Sequence, residues 1–184
     1  MQEAVNRFTQ LFDACYEDVL RYAARRVDAD TARDVAAETF LIAWRKLSAV
    51  PRADEDVLPW LYGVARRVLA NEHRRERRGR RLAARIAGAL GMEAVVVADL
   101  SDDVTGPLGL AQALRSLSPK DQEVLQLIGW EELTVRQAAV VVGCTPASMA
   151  VRAHRARQRF LTILNDQGLL GQSHTVNPRT EGRS

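Results

Sequence analysis

TVRQAAVVVGCTPASMAVRAHRARQRFL, residues 134–161, decides how this chain is read. Ala139 is a small residue where two helices would cross, and Gly143 follows four positions later, where a tight turn needs a permissive backbone. Thr145-Pro146 then supplies an N-cap and a first-turn proline for the next helix. On a helical wheel, Met149, Ala153, Ala156 and Phe160 share one side of that helix, while Ser148, Val151, Arg152, Arg155 and Arg159 share the opposite side. This is the pattern of a helix-turn-helix whose second helix seats itself by an apolar face and offers guanidinium groups outward, as a major groove requires. The bland alternative is an Arg-rich surface helix packed on an acidic partner. No Asp or Glu occurs anywhere in residues 134–161. That favours DNA, because duplex affinity depends largely on neutralising phosphates.

Charge along the rest of the chain is just as segregated. The 184 residues carry 26 Lys+Arg against 23 Asp+Glu, a net charge of only +3. Residues 1–65 are acidic, with 8 basic and 11 acidic side chains, and residues 66–85 are strongly basic, with 9 and 2. Residues 86–133 return to acidic, with 2 and 8, before the basic helix-turn-helix, with 5 and 0. Nearly all the cations are Arg, the type suited to bidentate and stacked contacts with nucleic acid.

Apolar spacing at Phe8, Leu11, Phe12, Cys15, Val19, Tyr22, Ala23 and Val27 predicts a first helix, and residues 31–47 repeat the period after a turn at residues 28–30. Residues 51–56, with Pro51 and three consecutive acids, read as a loop. A third helix is expected to start near Pro59 and run towards Arg78. Trp60, Arg67, Asn71, Arg74 and Arg78 line one edge of its polar side, with Arg66, His73 and Arg77 beside them. An aromatic, an amide and a row of arginines suit a single nucleic-acid strand, whose bases stack on rings while its backbone follows the charge. The competing reading buries Trp60 and Tyr62 in the core. The second helix is opposite in sign: Asp30, Asp34 and Glu38 form an acidic stripe, either a solvated face or a docking site for a protein. Helix starts at Ser118-Pro119, Thr134 and Thr145-Pro146 mark a second helical unit over residues 110–164.

These readings give an all-α chain of two small helical domains, 1–78 and 110–164. They are joined by a flexible linker over 79–109 and followed by a disordered tail over 165–184. No apolar run approaches the roughly 18 residues that span a bilayer, and the start lacks a signal-peptide pattern. The chain is therefore expected to be cytoplasmic, without membrane insertion. Cys15 and Cys144 stand alone and are expected as small buried hydrophobes rather than disulfide or metal ligands. His73, His154 and His174 are scattered, with no nucleophile or phosphate-cradling loop near them, so no catalytic residue, cofactor or metal is expected.

DVAAETFLIAWR at residues 34–45 and PWLYGVARRVLAN at residues 59–71 closely resemble conserved region 2 of extracytoplasmic-function (ECF, group IV) bacterial RNA polymerase sigma factors. LRSLSP at residues 114–119 and GCTPASMAVRAHRAR at residues 143–157 resemble their region 4. The resemblance implies a region 2 helical bundle and a region 4 helix-turn-helix. It implies core RNA polymerase, β and β′ subunits, as partner, with Asp34, Glu38, Thr39, Trp44 and Arg45 docking on the clamp helices of β′. It implies capture of the single-stranded minus-10 element by residues 51–56, with Trp60, Tyr62, Arg66, Arg67, Asn71, Arg74 and Arg75 on the strand. It implies reading of the minus-35 duplex by Thr145, Ser148, Arg152 and Arg155, and makes an anti-sigma factor a candidate partner. Where many relatives have Thr-Val-Lys-Ser-Arg in the recognition helix, this chain has Ser148-Met149-Ala150-Val151-Arg152, which loses a Lys and a Ser. The rival reading is a helix-turn-helix regulator that never joins polymerase. It leaves the acidic stripe and the aromatic-arginine helix without a role.

Overall fold

A computed structural model describes residues 2–89 and 108–167. Most of the expected linker and tail, residues 90–107 and 168–184, lies outside the described residues. The described chain is built from seven α-helices and one short 3-10 turn. Helices α1 (Gln2–Ala24), α2 (Ala29–Arg45) and α3 (Asp54–Ala89) pack against one another, with the 3-10 turn Leu47–Ala49 between α2 and α3. Helices α4 (Leu108–Arg115), α5 (Pro119–Gly129), α6 (Val135–Val142) and α7 (Pro146–Asp166) form the second unit, with α7 touching the other three.

The first unit buries most of the expected stripes, with Phe12 left 37% exposed. Val19, Tyr22 and Ala23 of α1 meet Val35, Ala36 and Phe40 of α2 and Leu61, Ala65 and Val68 of α3 in one core. Helix α2 starts two residues before its expected position. Asp28 caps it by accepting from the N–H groups of Asp30 and Thr31, at 3.1 and 3.0 Å, and from the Thr31 hydroxyl at 2.7 Å.

Helix α3 departs from expectation at both ends. It begins at Asp54 rather than near Pro59, so only residues 51–53 of the expected loop lie between elements. The three acids Asp54, Glu55 and Asp56 favour this start, since carboxylates complement the positive end of the helix dipole. Pro59 thereby falls inside the helix, where it has no N–H for the carbonyl of Glu55. The Gln137 side chain of α6 donates to that carbonyl at 2.9 Å, so the second unit supplies the bond that the proline removes. At its other end α3 continues past Arg78 to Ala89.

In the second unit all three expected caps are made: Ser118 accepts from Asp121 N–H, Thr134 from Gln137 N–H and Thr145 from Ser148 N–H. Thr134 and Gln137 complete a reciprocal capping box. Gly143 takes φ 75, the left-handed conformation expected of the turn, and ends α6.

The two units are packed together through α3 and α6. Gly63 faces α6 at this contact: a Cβ built there would lie 3.5 Å from the carbonyl oxygen of Val141, an ordinary contact distance. Ion pairs rim this contact. Arg25 and Arg26 of α1 hold Glu131 at 2.9 and 3.1 Å, with the Glu131 side chain only 2% exposed. Arg66 of α3 pairs with Glu123 of α5, and Arg136 pairs with Asp56 at 2.8 Å.

Candidate nucleic-acid interface

The recognition helix α7 is seated by Met149 and Ala156, both at 0% exposure, with Leu164 buried near its end. Arg152, Arg155 and Val151 face outward, the last 50% exposed. Thr145 and Ser148 sit at the exposed helix start. There the Thr145 hydroxyl accepts from Ser148 N–H at 3.2 Å and lies 3.0 Å from the Ser148 hydroxyl, so capping already engages both side chains. Arg159 differs from its neighbours on the wheel. Its Nη1 donates to both carboxylate oxygens of Asp121 at 3.0 and 2.8 Å, pinning α7 to α5 instead of standing free.

On α3, Arg67, Asn71, Arg74 and Arg75 are exposed along one side, with Arg74 donating to Asn71 Oδ1 at 2.6 Å. Trp60 is half-buried and packed against the core. Tyr62 is inside: it is 3% exposed and stacked on Tyr22 with ring centroids 4.6 Å apart. Burial raises both phenol pKa values, that of Tyr22 to about 12, against an opposing pull from the Arg26 guanidinium 3.6 Å above its ring. Arg66 is set apart from that exposed edge. It forms two bonds to Glu123, at 2.5 and 3.0 Å, and its hydrogen bond there raises the guanidinium pKa further.

The fold brings together residues that the sequence reading assigned to different stretches of DNA. Arg66, Arg152 and Arg155 line one cleft of about 310 Å³, together with Lys120, Asp121 and Glu123. Nothing in the spacing of either helix could have signalled this, because it arises from the packing of α6 on α3.

The acidic face of α2 is exposed at Asp34 and Glu38, while Asp30 is paired with Arg33. Thr39 points the other way, at 0% exposure, donating to the Val35 carbonyl at 2.7 Å. Trp44 is 42% exposed and Arg45 is exposed at the helix end. Beside them runs a feature the sequence reading passed over. Phe8 and Phe12 of α1 meet Phe40 and Trp44 of α2 in an aromatic groove of about 630 Å³, with Leu41 47% exposed at its edge. Its signal was present in Val5 and Leu41, apolar residues lying outside the expected stripes, whereas Phe12 counted among the first helix's stripe. No described helix is long and apolar enough to cross a membrane. Cys15 is buried, whereas Cys144 is half-buried because it lies in the turn after α6.

Residues 11–79 match sigma-70 region 2 and residues 108–160 match sigma-70 region 4. The chain is 29% identical over 163 residues to the ECF RNA polymerase sigma factor BldN of Streptomyces coelicolor, covering 86% of this chain and 61% of BldN. It is 32% identical over 174 residues to the ECF RNA polymerase sigma factor SigC of Mycobacterium tuberculosis, covering 86% of this chain and 83% of SigC. Among solved structures, the sigma factor RpoE in complex with the anti-sigma factor NepR from Bartonella quintana superposes with a TM-score of 0.57 at 23% identity, covering 86% of this chain and 97% of that one. CnrH in complex with the cytosolic domain of CnrY does so with the same score and identity, covering 90% and 94%. With both sigma regions matched in order and a relative above 30% identity covered over most of its length, the chain belongs to the ECF RNA polymerase sigma factors.

Proposed function

We propose that this chain directs promoter-specific initiation by binding core RNA polymerase, capturing the minus-10 strand with α3 and the connection before it, and reading the minus-35 duplex with α7. It acts in the cytoplasm as a specificity subunit with no catalysis of its own. The observation that carries this reading is the chemistry of α7: an apolar seat at Met149 and Ala156, with Arg152 and Arg155 outward and no acid on the helix before Asp166. The exposed Asp34 and Glu38 beside the Phe8–Trp44 groove support docking of a protein surface that is basic and apolar at once, as the polymerase must present. An anti-sigma factor competing for these surfaces is consistent with the same chemistry.

Minus-10 and minus-35 elements lie about 25 base pairs apart, ~85 Å along a duplex rising ~3.4 Å per pair. α6 packs on α3, and α7 comes close enough that Arg155 lines one cleft with Arg66, so one chain holding the first element on α3 and the second on α7 must part its two units at α3 and α6.

Run-off transcription with purified core polymerase tests the reading. Arg152→Ala should weaken promoter use by about 1–3 kcal/mol and relax preference among minus-35 variants, if that guanidinium reads a base. Glu38→Lys should impair association with core while changing folding stability by less than about 0.5 kcal/mol, since an exposed charge reversal costs a monomer little. Sequence-specific duplex binding by the chain alone, with no promoter-dependent transcript in the presence of core, would favour a regulator that acts without polymerase.

A further inference from the structure

The connection from α2 to α3 is anchored from outside itself. Its amides are served locally: Lys46 N–H donates to the carbonyls of Ile42 and Ala43, Ala49 N–H to Lys46, and Val50 N–H to Leu47. The carbonyls of Val50 and Pro51 receive no backbone donor among the described residues. Arg7 of α1 supplies them. Its Nη2 donates to Val50 O at 2.9 Å and to Pro51 O at 3.4 Å, while Nη1 donates to Leu47 O at 3.2 Å. One half-buried guanidinium thus ties three loop carbonyls to a helix about forty residues earlier in the chain, and none of these bonds goes to a carboxylate, its stronger partner.

What this anchor shapes is a cavity of about 710 Å³ between α1 and the connection. Arg7, Gln10 and Ala14 form one wall, and Val50, Pro51 and Arg52 form the other. Leu11 and Cys15, each 8% exposed, supply apolar surface. The volume is typical of a small-molecule site. An apolar floor, an amide that both donates and accepts, and the carboxylates of Glu3 and Asp54, which accept from an exocyclic amine, suit one unstacked base, with the exposed Arg52 the cation on the lining for its phosphate.

We infer that Arg7 is a positioning residue for minus-10 selection: by holding Val50 and Pro51 against α1, it sets the wall of the pocket that takes one base extruded from the melted strand. This rests on the proposed assignment of minus-10 capture to this connection. Arg7 acts through the loop and has no need to touch DNA. Without it, two loop carbonyls lose their donor, residues 51–53 are released from α1, and the pocket loses the shape that distinguishes one base from another. A lysine, with a point charge in place of a planar fork, spans the three carbonyls less well.

The test uses the full chain with core polymerase on promoters carrying each base at every minus-10 position, both as duplexes and already unpaired there. Arg7→Ala should flatten preference at one minus-10 position by at least about fivefold on both templates, with core association and minus-35 preference held within about twofold. Arg7→Lys should fall between Ala and the wild type, and Gln10→Ala should flatten the same position. An equal drop at every base with preference retained, as loss of folded protein alone produces, overturns the inference, and so does an unchanged preference profile. If Arg7→Ala fails to fold by circular dichroism, Arg7→Lys carries the same comparison. Wild-type transcription indifferent to the minus-10 bases would instead strike the assignment beneath, a result visible before any variant is made.

Discussion

Tyr22 and Tyr62 share their stacked rings within the first unit, and Arg26 closes the stack by lying over Tyr22 while holding Glu131. Burial is the main reason both phenols resist ionisation, and Tyr22 moves from 10.0 to about 12. A folded pKa above the unfolded one means the native state keeps a proton that the unfolded chain loses. Stability from this source is complete below pH 10 and is lost as pH rises from 10 towards 12. Alkaline titration should therefore show tyrosinate absorbance rising together with loss of helical circular dichroism; free titration of all tyrosines near pH 10 with the fold intact would contradict the buried stack. Asp28 works in the opposite direction. Its hydrogen bonds to Thr31, backbone first and then hydroxyl, lower its pKa, so the cap is present at neutral pH and lost as pH falls through the folded value below 3.8.

At the scale of the element, α3 carries most of the unexpected structure. Its proline is tolerated because Gln137 satisfies the Glu55 carbonyl, and its glycine is placed where α6 crosses. Sequence spacing showed the apolar face of α3 but not which neighbour it would meet at Gly63. Gly63 is in a helical conformation, so Gly63→Ala adds helix propensity, and the new Cβ would sit at ordinary contact distance, 3.5 to 3.8 Å from the backbone of Val140 and Val141. The exchange should raise stability by up to about 1 kcal/mol in chemical denaturation. A loss of comparable size would mean that the helices approach more tightly than the structure has them.

For the whole molecule, the consequential contact is the one between units. Glu131 stands on the second unit with two arginines of the first around it and almost no exposure. Glu131→Lys removes both pairs and sets a third cation among them. Removing one partner of a buried pair costs about 3–5 kcal/mol; Arg25 is 32% exposed, which puts this case at the lower end. The variant should show a larger hydrodynamic radius and faster amide exchange on the α3 face around Gly63, with helical content unchanged. An unaltered radius would mean that the apolar contact between α3 and α6 holds the units without the charges.

Composition and local chemistry determine a great deal in this protein. Helix starts at Ser118, Thr134 and Thr145, the left-handed turn at Gly143 and the seat of α7 follow from side chains acting on their own backbone within a few residues. The charge order along the chain is covalent, and so is the placement of arginines on α3 and α7. The rest depends on residues far apart in sequence meeting. Tyr62 turns inward because Tyr22 is there to receive it, Arg66 is occupied because α5 brings Glu123 to it, and Arg7 meets a loop some forty positions later. Such pairings carry no period or motif: each is set by where whole helices come to rest, and that depends on the core packing of all of them at once.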